Sequence, residues 1–155
     1  MSEIYFYHLT RTPLEATLPD LLEKCRARGW NVAVRGQDVK RLEWLDNHLW
    51  QGAQTAFLPH GLAGGEQDAL QPVLLTQSCD NVNNAAIVMA IDGAEIDAGE
   101  VASYQRICVL FDGNDPAALE HARGQWKQLT DAGCAAVYWA QEESGWVKKV
   151  SKNKE

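Results

Sequence analysis

The sequence lacks the glycine patterns that hold phosphate groups in nucleotide-binding enzymes. The crossover after the first predicted strand reads TRTPLE and contains no glycine, whereas a dinucleotide fingerprint needs G-x-G-x-x-G at that place. Gly61, Gly64 and Gly65 are not followed by the Lys of a P-loop, and the neighbouring Glu66 and Asp68 would repel phosphate. No serine lies in a nucleophile-elbow context. The sequence therefore predicts neither a catalytic site nor a cofactor.

Metal-ligand spacing is absent as well. The four cysteines (Cys25, Cys79, Cys108 and Cys134) form no CxxC pair, and His60 has no second histidine or cysteine near it. No bound metal is predicted, and we expect the cysteines to be reduced and mostly buried.

Long apolar runs are also missing. No stretch approaches the ~20 apolar residues of a membrane span, and no apolar run follows a basic start. We therefore expect a cytoplasmic protein that makes no membrane contact.

The composition is that of one globular domain with a net negative charge. The chain has 155 residues, 46% of them hydrophobic, a formal net charge of -7 and a pI of about 5.1. A chain this acidic does not wrap a nucleic-acid backbone by bulk electrostatics. Any link to DNA should be local or run through a partner.

Strand-like and helix-like segments alternate with short links. We predict strands at 4–9, 30–34, 57–58, 72–76, 85–91, 106–111 and 134–140, and helices at 12–28, 38–50, 94–104 and 116–132. This alternation predicts an open, mostly parallel, twisted sheet with helices on both faces, a single α/β domain over residues 1–140. Residues 141–155 are predicted to be a C-terminal extension that forms a short hairpin and then frays.

Local signals mark where two of these helices begin. Thr12, Pro13 and Glu15 have the spacing of a capping box, and Pro19 is expected to kink or delay the helix that follows. Asp38 is expected to cap the second helix. The apolar face predicted for that helix consists of Val39, Leu42, Leu45 and Leu49.

The stretch FLPHGLAGG at 57–65 is predicted to be a stiff turn. Pro59 restricts its own backbone and that of Leu58, and the glycines that follow permit sharp turns. Two interpretations remain for the apolar residues around this turn: they are core residues, or part of them forms an exposed patch for a partner. The residues concerned are Trp50, Phe57, Pro59 and Leu62.

The helix at 116–132 combines an apolar stripe with two cations. Leu119, Ala122, Trp126 and Leu129 share one side at helical spacing. Arg123 and Lys127 lie along an edge of this stripe. They either cover apolar surface from solvent or border a small cleft for an acidic, aromatic peptide end.

Four segments together resemble the chi-subunit family of bacterial DNA polymerase III holoenzyme. They are LDNHLWQGAQTAFLPHGLAGG at 45–65, QPVLL at 71–75, RICVLFDG at 106–113 and ARGQWKQLTDAG at 122–133. The resemblance covers residues 4–140. It implies a Rossmann-like fold related to nucleotide-binding domains, and an accessory, non-catalytic role in the clamp-loader assembly. It also implies binding to the acidic, Phe-ended C-terminal tail of single-stranded DNA-binding protein, with DNA contacted only indirectly.

The resemblance further implies roles for particular residues. Tail binding falls on Arg123, Trp126 and Lys127, with Leu119 at a position where some members have Lys. An apolar wall residue falls near Phe111, next to Asp112. In some bacteria a small partner subunit, psi, binds chi. The face that would meet it falls on Trp50, Phe57, Pro59 and Leu62.

Two other classes of function remain open at this point. One is a small nucleotide-binding or hydrolytic α/β enzyme. The other is an oligomer subunit whose apolar patch around Trp50 and Phe57 is buried against a second copy of the chain.

Overall fold

A mostly parallel sheet forms the centre of the molecule. The computed structural model describes residues 3–52, 61–64, 68–77, 81–142 and 145–153, with the backbone alone at 50–52. In these ranges the strands are β1 Glu3–Leu9, β2 Val32–Arg35, β3 Gly61–Leu62, β4 Val73–Thr76, β5 Ile87–Ala90, β6 Arg106–Asp112, β7 Ala136–Glu142 and β8 Gly145–Lys152. The α-helices are α1 Leu14–Ala27, α2 Val39–Gly52 and α3 Pro116–Asp131, with 3₁₀ helices at Asp68–Leu70 and Ala98–Ser103.

The sheet has the order β3-β4-β2-β5-β6-β1-β7-β8. All neighbouring strands are parallel except β7 and β8, which are antiparallel. Strands β2, β4 and β5 are buried along their whole length, which explains their near-continuous apolar sequences. The predicted α/β class is therefore confirmed. The strand predicted at 57–58 lies outside the described residues.

Helices cover both faces of the sheet. On one face, Leu18 and Leu22 of α1 and Leu42 and Leu45 of α2 are buried in one apolar cluster with residues of the central strands. On the other face, Ala122 and Leu129 of α3 belong to a second cluster. We call these the α1/α2 face and the α3 face.

The predicted capping box at the start of α1 is wrong. Pro13 stands at the N-cap and makes no side-chain capping bond. The hydroxyl of Thr12 hydrogen-bonds instead to that of Thr17, with 2.6 Å between the oxygens, and accepts a bond from Nε2 of Gln141 at 2.7 Å. Tertiary partners on α1 and β7 thus replace the local cap.

Pro19 lies inside α1, which runs unbroken from Leu14 to Ala27. A proline has no N–H to donate to the carbonyl four residues earlier, which here belongs to Glu15. Nε2 of His48, on α2, lies 3.1 Å from that carbonyl oxygen. A side chain from the neighbouring helix therefore supplies the missing donor.

The second helix begins as predicted, because a side-chain oxygen of Asp38 accepts a hydrogen bond from the amide of Lys40 at 3.0 Å. Leu42, Leu45 and Leu49 are buried, whereas Val39 is 47% exposed and does not belong to the core face. Val39 is the first residue of the helix and projects beyond the edge of the apolar cluster.

Two further segments differ from the predicted elements. The helix predicted at 94–104 is only the 3₁₀ helix Ala98–Ser103, which Asp97 and Glu100 close with a reciprocal capping box. At the C-terminal end, Gly145–Lys152 forms β8 and pairs with β7 along its length. The antiparallel pair of β7 and β8 extends as far as Lys152.

Candidate functional site

Residues that favour helix ends stand at both ends of α3. The carboxylate of Asp115 accepts a hydrogen bond from the amide of Ala117 at 3.0 Å, and Pro116 occupies the first turn. Gly133 follows the last turn with a φ of +94°, a conformation that glycine adopts without steric cost. The helix therefore lies across the α3 face with one side buried and the other exposed to solvent.

An aromatic cluster lies beneath the exposed edge of α3. The ring centroid of Trp126 is 5.3 Å from that of Phe6 and 5.9 Å from that of Tyr138, both in edge-to-face geometry. His8 is 5.2 Å from Phe111 and 5.7 Å from Tyr138. The hydroxyl of Tyr138 lies 2.7 Å from Nδ1 of His8. Strands β1, β6 and β7 thus combine with α3 to build one continuous aromatic floor.

The charge of Arg123 acts on this floor. Burial lowers the pKa of His8, and the positive charge of Arg123 lowers it further, while a backbone hydrogen bond with Gly113 and the carboxylate of Asp112 act in the opposite direction. Burial raises the pKa of Tyr138, and Arg123 lowers it. The guanidinium therefore lies near enough to both rings to affect their titration.

The imidazole of His8 packs directly against the backbone of Gly113. A Cβ at this position would lie 1.8 Å from Cδ2 of the imidazole, a distance no real pair of atoms adopts. The amide of Gly113 also donates to the carbonyl of Leu9, which ties the end of β6 to the end of β1. The glycine of the RICVLFDG segment thus leaves room for the ring.

The structure brings the predicted tail-binding residues together on the α3 face. Arg123 and Lys127 are exposed, whereas Leu119 and Trp126 are partly buried against the apolar cluster. Phe111 is only 6% exposed, so it supports the floor from below rather than forming an open wall. Asp112, next to it, is exposed. The arrangement places two cations beside a partly open aromatic surface.

Sequence reasoning missed two residues of this site, His8 and Tyr138. His8 stands near the carboxyl end of β1, a common location for binding residues in α/β proteins, whereas Tyr138 is the third residue of β7. Their contact depends on β1 pairing with β7, and the two strands are more than 120 residues apart in the sequence. Only the strand order reveals it.

The predicted partner face is described in part. Leu62 lies in β3, at the edge of the sheet, and is partly buried against the α1/α2 cluster. Trp50 belongs to the last turn of α2, where only the backbone is described. Phe57, Pro59 and His60 lie outside the described residues, as do Gly65 and Cys79.

Three of the four cysteines lie within the described residues. Cys25 and Cys108 are buried and Cys134 is partly buried, all three with free thiols. Burial raises the pKa of Cys108 to about 12, so its thiol stays protonated. Within the described ranges we find no group of three His, Cys, Asp or Glu side chains that could hold a metal ion, and no helix long and apolar enough to cross a bilayer.

Comparison with known proteins identifies the family. The model of the family described as "DNA polymerase III chi subunit, HolC" matches residues 1–137. The chain belongs to the DNA polymerase III chi-subunit family. The match includes β1, β6 and the whole of α3, and ends within β7.

Two relatives carry the same description. A "DNA polymerase III subunit chi" from Pseudomonas aeruginosa is 28% identical over 138 residues, which cover 86% of this chain and 92% of that protein. A "Probable DNA polymerase III subunit chi" from Rickettsia prowazekii is 29% identical over 96 residues, 62% of this chain. The latter match spans 58% of the Rickettsia protein's length.

Proposed function

We propose that this chi-family chain is a non-catalytic accessory subunit of DNA polymerase III holoenzyme in DNA replication. It links the clamp loader to single-stranded DNA-binding protein by binding the acidic, Phe-ended C-terminal tail of that protein on the α3 face. One observation supports this above all others: Arg123 is exposed beside a partly open aromatic floor that contains Trp126 and Tyr138.

Each part of the site matches one part of such a tail. The planar guanidinium of Arg123 suits a terminal carboxylate, which it can bind through two parallel hydrogen bonds. Lys127, one turn further along α3, adds a positive charge for the acidic residues that precede the terminal ring. The Phe ring itself can pack against Trp126 and Tyr138, because aromatic pairs favour edge-to-face contact.

A tail-binding accessory subunit needs only modest affinity at each site. A DNA strand coated by single-stranded DNA-binding protein offers many identical tails, and the effective concentration of tails near a tethered subunit is high. The modest affinity expected from one Arg and one Lys beside an aromatic floor is therefore enough for this proposed role. The cytoplasm remains the expected compartment.

A peptide titration tests the proposal. We expect Arg123→Ala to weaken binding of a Phe-ended acidic tail peptide about tenfold or more, because a charge-assisted hydrogen bond contributes about 1.5–3 kcal/mol. Lys40→Ala, on exposed α2 at the other face, is the matched control and should bind like wild type. Unchanged affinity in Arg123→Ala would exclude the carboxylate-binding role.

The contact with a clamp-loader partner such as psi remains a prediction for the face around Leu62, together with Trp50, Phe57 and Pro59. Leu62 at the sheet edge supports it, since an edge strand is a natural place for another chain to dock. Co-purification of psi, or of the clamp loader, with wild type and with the Leu62→Glu variant tests this partner contact separately from tail binding. The variant should retain less of the partner than wild type does.

The nucleotide-binding alternative is disfavoured by the loop after β1. In Rossmann-like folds the amides of this loop meet a phosphate. Here the amides of Thr10, Arg11 and Thr12 all donate to Oε1 of Gln141, at 3.2, 2.9 and 3.1 Å. A side chain of the protein itself therefore occupies the position of the anion.

A cleft of about 710 Å³ does open at the carboxyl ends of β1 and β6. The cleft is lined by Glu15, Asp92, Asp112 and Asp115 together with Arg11 and Arg41. Four carboxylates in this position oppose a polyphosphate, and Arg41 is already paired with Asp92 at 3.0 Å. The cleft gives no support to a nucleotide substrate.

A further inference from the structure

A second aromatic surface lies on the α1/α2 face, opposite the tail site. It consists of Tyr5 and Tyr7 on β1, Trp139 on β7 and Trp146 on β8, which are all partly exposed. Ring centroids are 5.9 Å apart for Tyr5 and Trp139 and 5.0 Å apart for Tyr7 and Trp146. We call this set the β1–β7–β8 aromatic face.

The register of the sheet explains why these rings share one side. Tyr7 is level with Trp139, and Trp139 is level with Lys148 across the antiparallel pair. Residues that stand opposite each other in a sheet point to the same face. Lys148 therefore projects beside the aromatic rings, and it is exposed.

The helices of this face lie over other strands. Helix α1 makes its main sheet contact with β6, and α2 with β3 and β4, whereas β7 and β8 contact chiefly each other and β1. Tyr5, Tyr7 and Trp146 pack against the edge of the α1/α2 cluster and remain partly exposed. Trp139, Trp146 and Lys148 lie beyond the residues that the family model matches, whereas Tyr5 and Tyr7 lie within them.

Arginine side chains extend the face at its amino-terminal end. The guanidinium carbon of Arg106 is 4.2 Å from the ring centroid of Tyr5 and 5.8 Å from that of Trp30. Arg28 stacks on Trp30 at 4.9 Å and is exposed. Glu3, level with Arg106, offsets part of this charge. The face still carries three cations among its aromatic rings, in a chain whose net charge is -7.

We propose that the β1–β7–β8 aromatic face binds single-stranded DNA directly. Proteins that bind single strands combine aromatic side chains, on which bases stack, with cations that follow the phosphate backbone. The partly exposed rings offer the first, and Arg28, Arg106 and Lys148 offer the second. The choice of DNA rests on the proposed replication function, since a polymerase accessory subunit works beside single-stranded template.

The two surfaces give the chain two contacts with one coated strand. The α3 face would hold the protein tail, while the opposite face meets nucleotides left uncovered between coat proteins. Each contact is weak alone, but linked contacts reinforce each other through effective concentration. The net charge of -7 disfavours DNA contact with the acidic parts of the surface.

Fluorescence anisotropy with a labelled oligo(dT) tests the proposal on the full chain. We expect binding to wild type and at least a tenfold loss for Arg28→Glu combined with Lys148→Glu, both at exposed positions. The slope of log affinity against log salt should be about -2, because three cations each contribute about -0.7 for a single strand. Lys40→Glu, the same charge change on exposed α2, should bind within about twofold of wild type.

Stacking predicts two further results. Oligo(dT) should quench tryptophan fluorescence, and Trp139→Phe should reduce the quenching while retaining most of the affinity. A duplex of equal length should bind more weakly than the single strand, because its bases are not free to stack on the rings.

Several outcomes would overturn the proposal. They are no anisotropy change with oligo(dT), equal affinity for duplex, an equal loss in Lys40→Glu, or tighter binding of oligo(U) than of oligo(dT). A dimer in sedimentation that Lys148→Glu dissociates would assign the face to a second copy of the chain instead.

The tail peptide separates this proposal from the proposed function. The Arg28→Glu, Lys148→Glu chain should bind the tail peptide normally, which also shows that it is folded, and Arg123→Ala should bind oligo(dT) normally. Loss of peptide binding in Arg123→Ala without any DNA binding in wild type would leave the tail function intact and exclude only the DNA contact.

Discussion

Two glycines at the tail site differ in how crowded their surroundings are. Replacing each by alanine should therefore change the stability in opposite directions. At Gly113 an added Cβ would meet the ring of His8 at 1.8 Å, and that ring is held by its contact with the Tyr138 hydroxyl. At Gly124, on the exposed side of α3, an added Cβ would meet nothing within 4 Å.

We expect Gly113→Ala to lower the free energy of unfolding by about 1–3 kcal/mol, because overpacking forces the imidazole out of its place. Gly124→Ala should raise it by about 1 kcal/mol, the difference in helix propensity. Urea unfolding of both variants measures these changes. If Gly113→Ala were as stable as wild type, the close packing of His8 on the backbone would be wrong.

A hydrogen bond joins helices α1 and α2, and the sequence of either helix alone does not predict it. Pro19 frees the carbonyl of Glu15, and Nε2 of His48 lies 3.1 Å from it. His48 is also stacked on Trp44, with ring centroids 5.2 Å apart, which holds the imidazole in position. The contact between His48 and the Glu15 carbonyl therefore couples the two helices at the point where α1 lacks a backbone hydrogen bond.

A double-mutant cycle tests this coupling. His48→Ala alone should lower the free energy of unfolding by about 1–3 kcal/mol, since it leaves the carbonyl without a protein donor. In the Pro19→Ala background the same change should cost less, because alanine brings the backbone N–H that proline lacks. Equal costs in both backgrounds would show that His48 contributes by packing alone.

The elements show what the sequence could and could not predict. The buried central strands were predictable because their apolar runs have no polar alternative, and Asp38 and Pro116 marked the starts of α2 and α3 correctly. The start of α1 was mispredicted because Gln141, 129 residues from Thr12, supplies the loop's hydrogen bonds. Local patterns carry no information on partners so distant in the chain.

The same limit applies to the two binding surfaces. Helical periodicity was enough to place Arg123 and Lys127 on one edge of α3. The ring of His8 beneath them, and the grouping of Tyr5, Trp139 and Trp146 on the other face, depend on β1 standing between β6 and β7. Strand order is decided by how the layers pack, so a sequence read element by element does not reveal it.

At the scale of the whole molecule, the net charge is negative, whereas the two proposed binding surfaces carry positive side chains. The chain is acidic overall, yet both proposed surfaces combine aromatic rings with Arg and Lys. Such local cation clusters attract an acidic tail or a phosphate backbone at short range, while the net charge disfavours non-specific binding elsewhere. Both contacts should accordingly weaken with salt.

The stability of the molecule should also fall in mild acid, and His8 is one cause. Burial, together with the charge of Arg123, lowers the pKa of His8 below its usual 6.5 in the folded chain. The unfolded chain therefore binds a proton at a higher pH than the folded one. The stability that His8 contributes in its neutral form is fully present above about pH 6.5 and is lost as the pH falls towards the lowered pKa.

Unfolding free energies of wild type and His8→Asn, measured from about pH 8 to about pH 5, isolate this effect. Asn does not titrate in this range, so the variant should lose less stability on acidification than wild type, even if it is less stable at neutral pH. If His8→Asn instead retained the full pH dependence, the imidazole would be as accessible to protons in the folded chain as in the unfolded one, and the packed aromatic floor beneath Arg123 would have to be open to solvent.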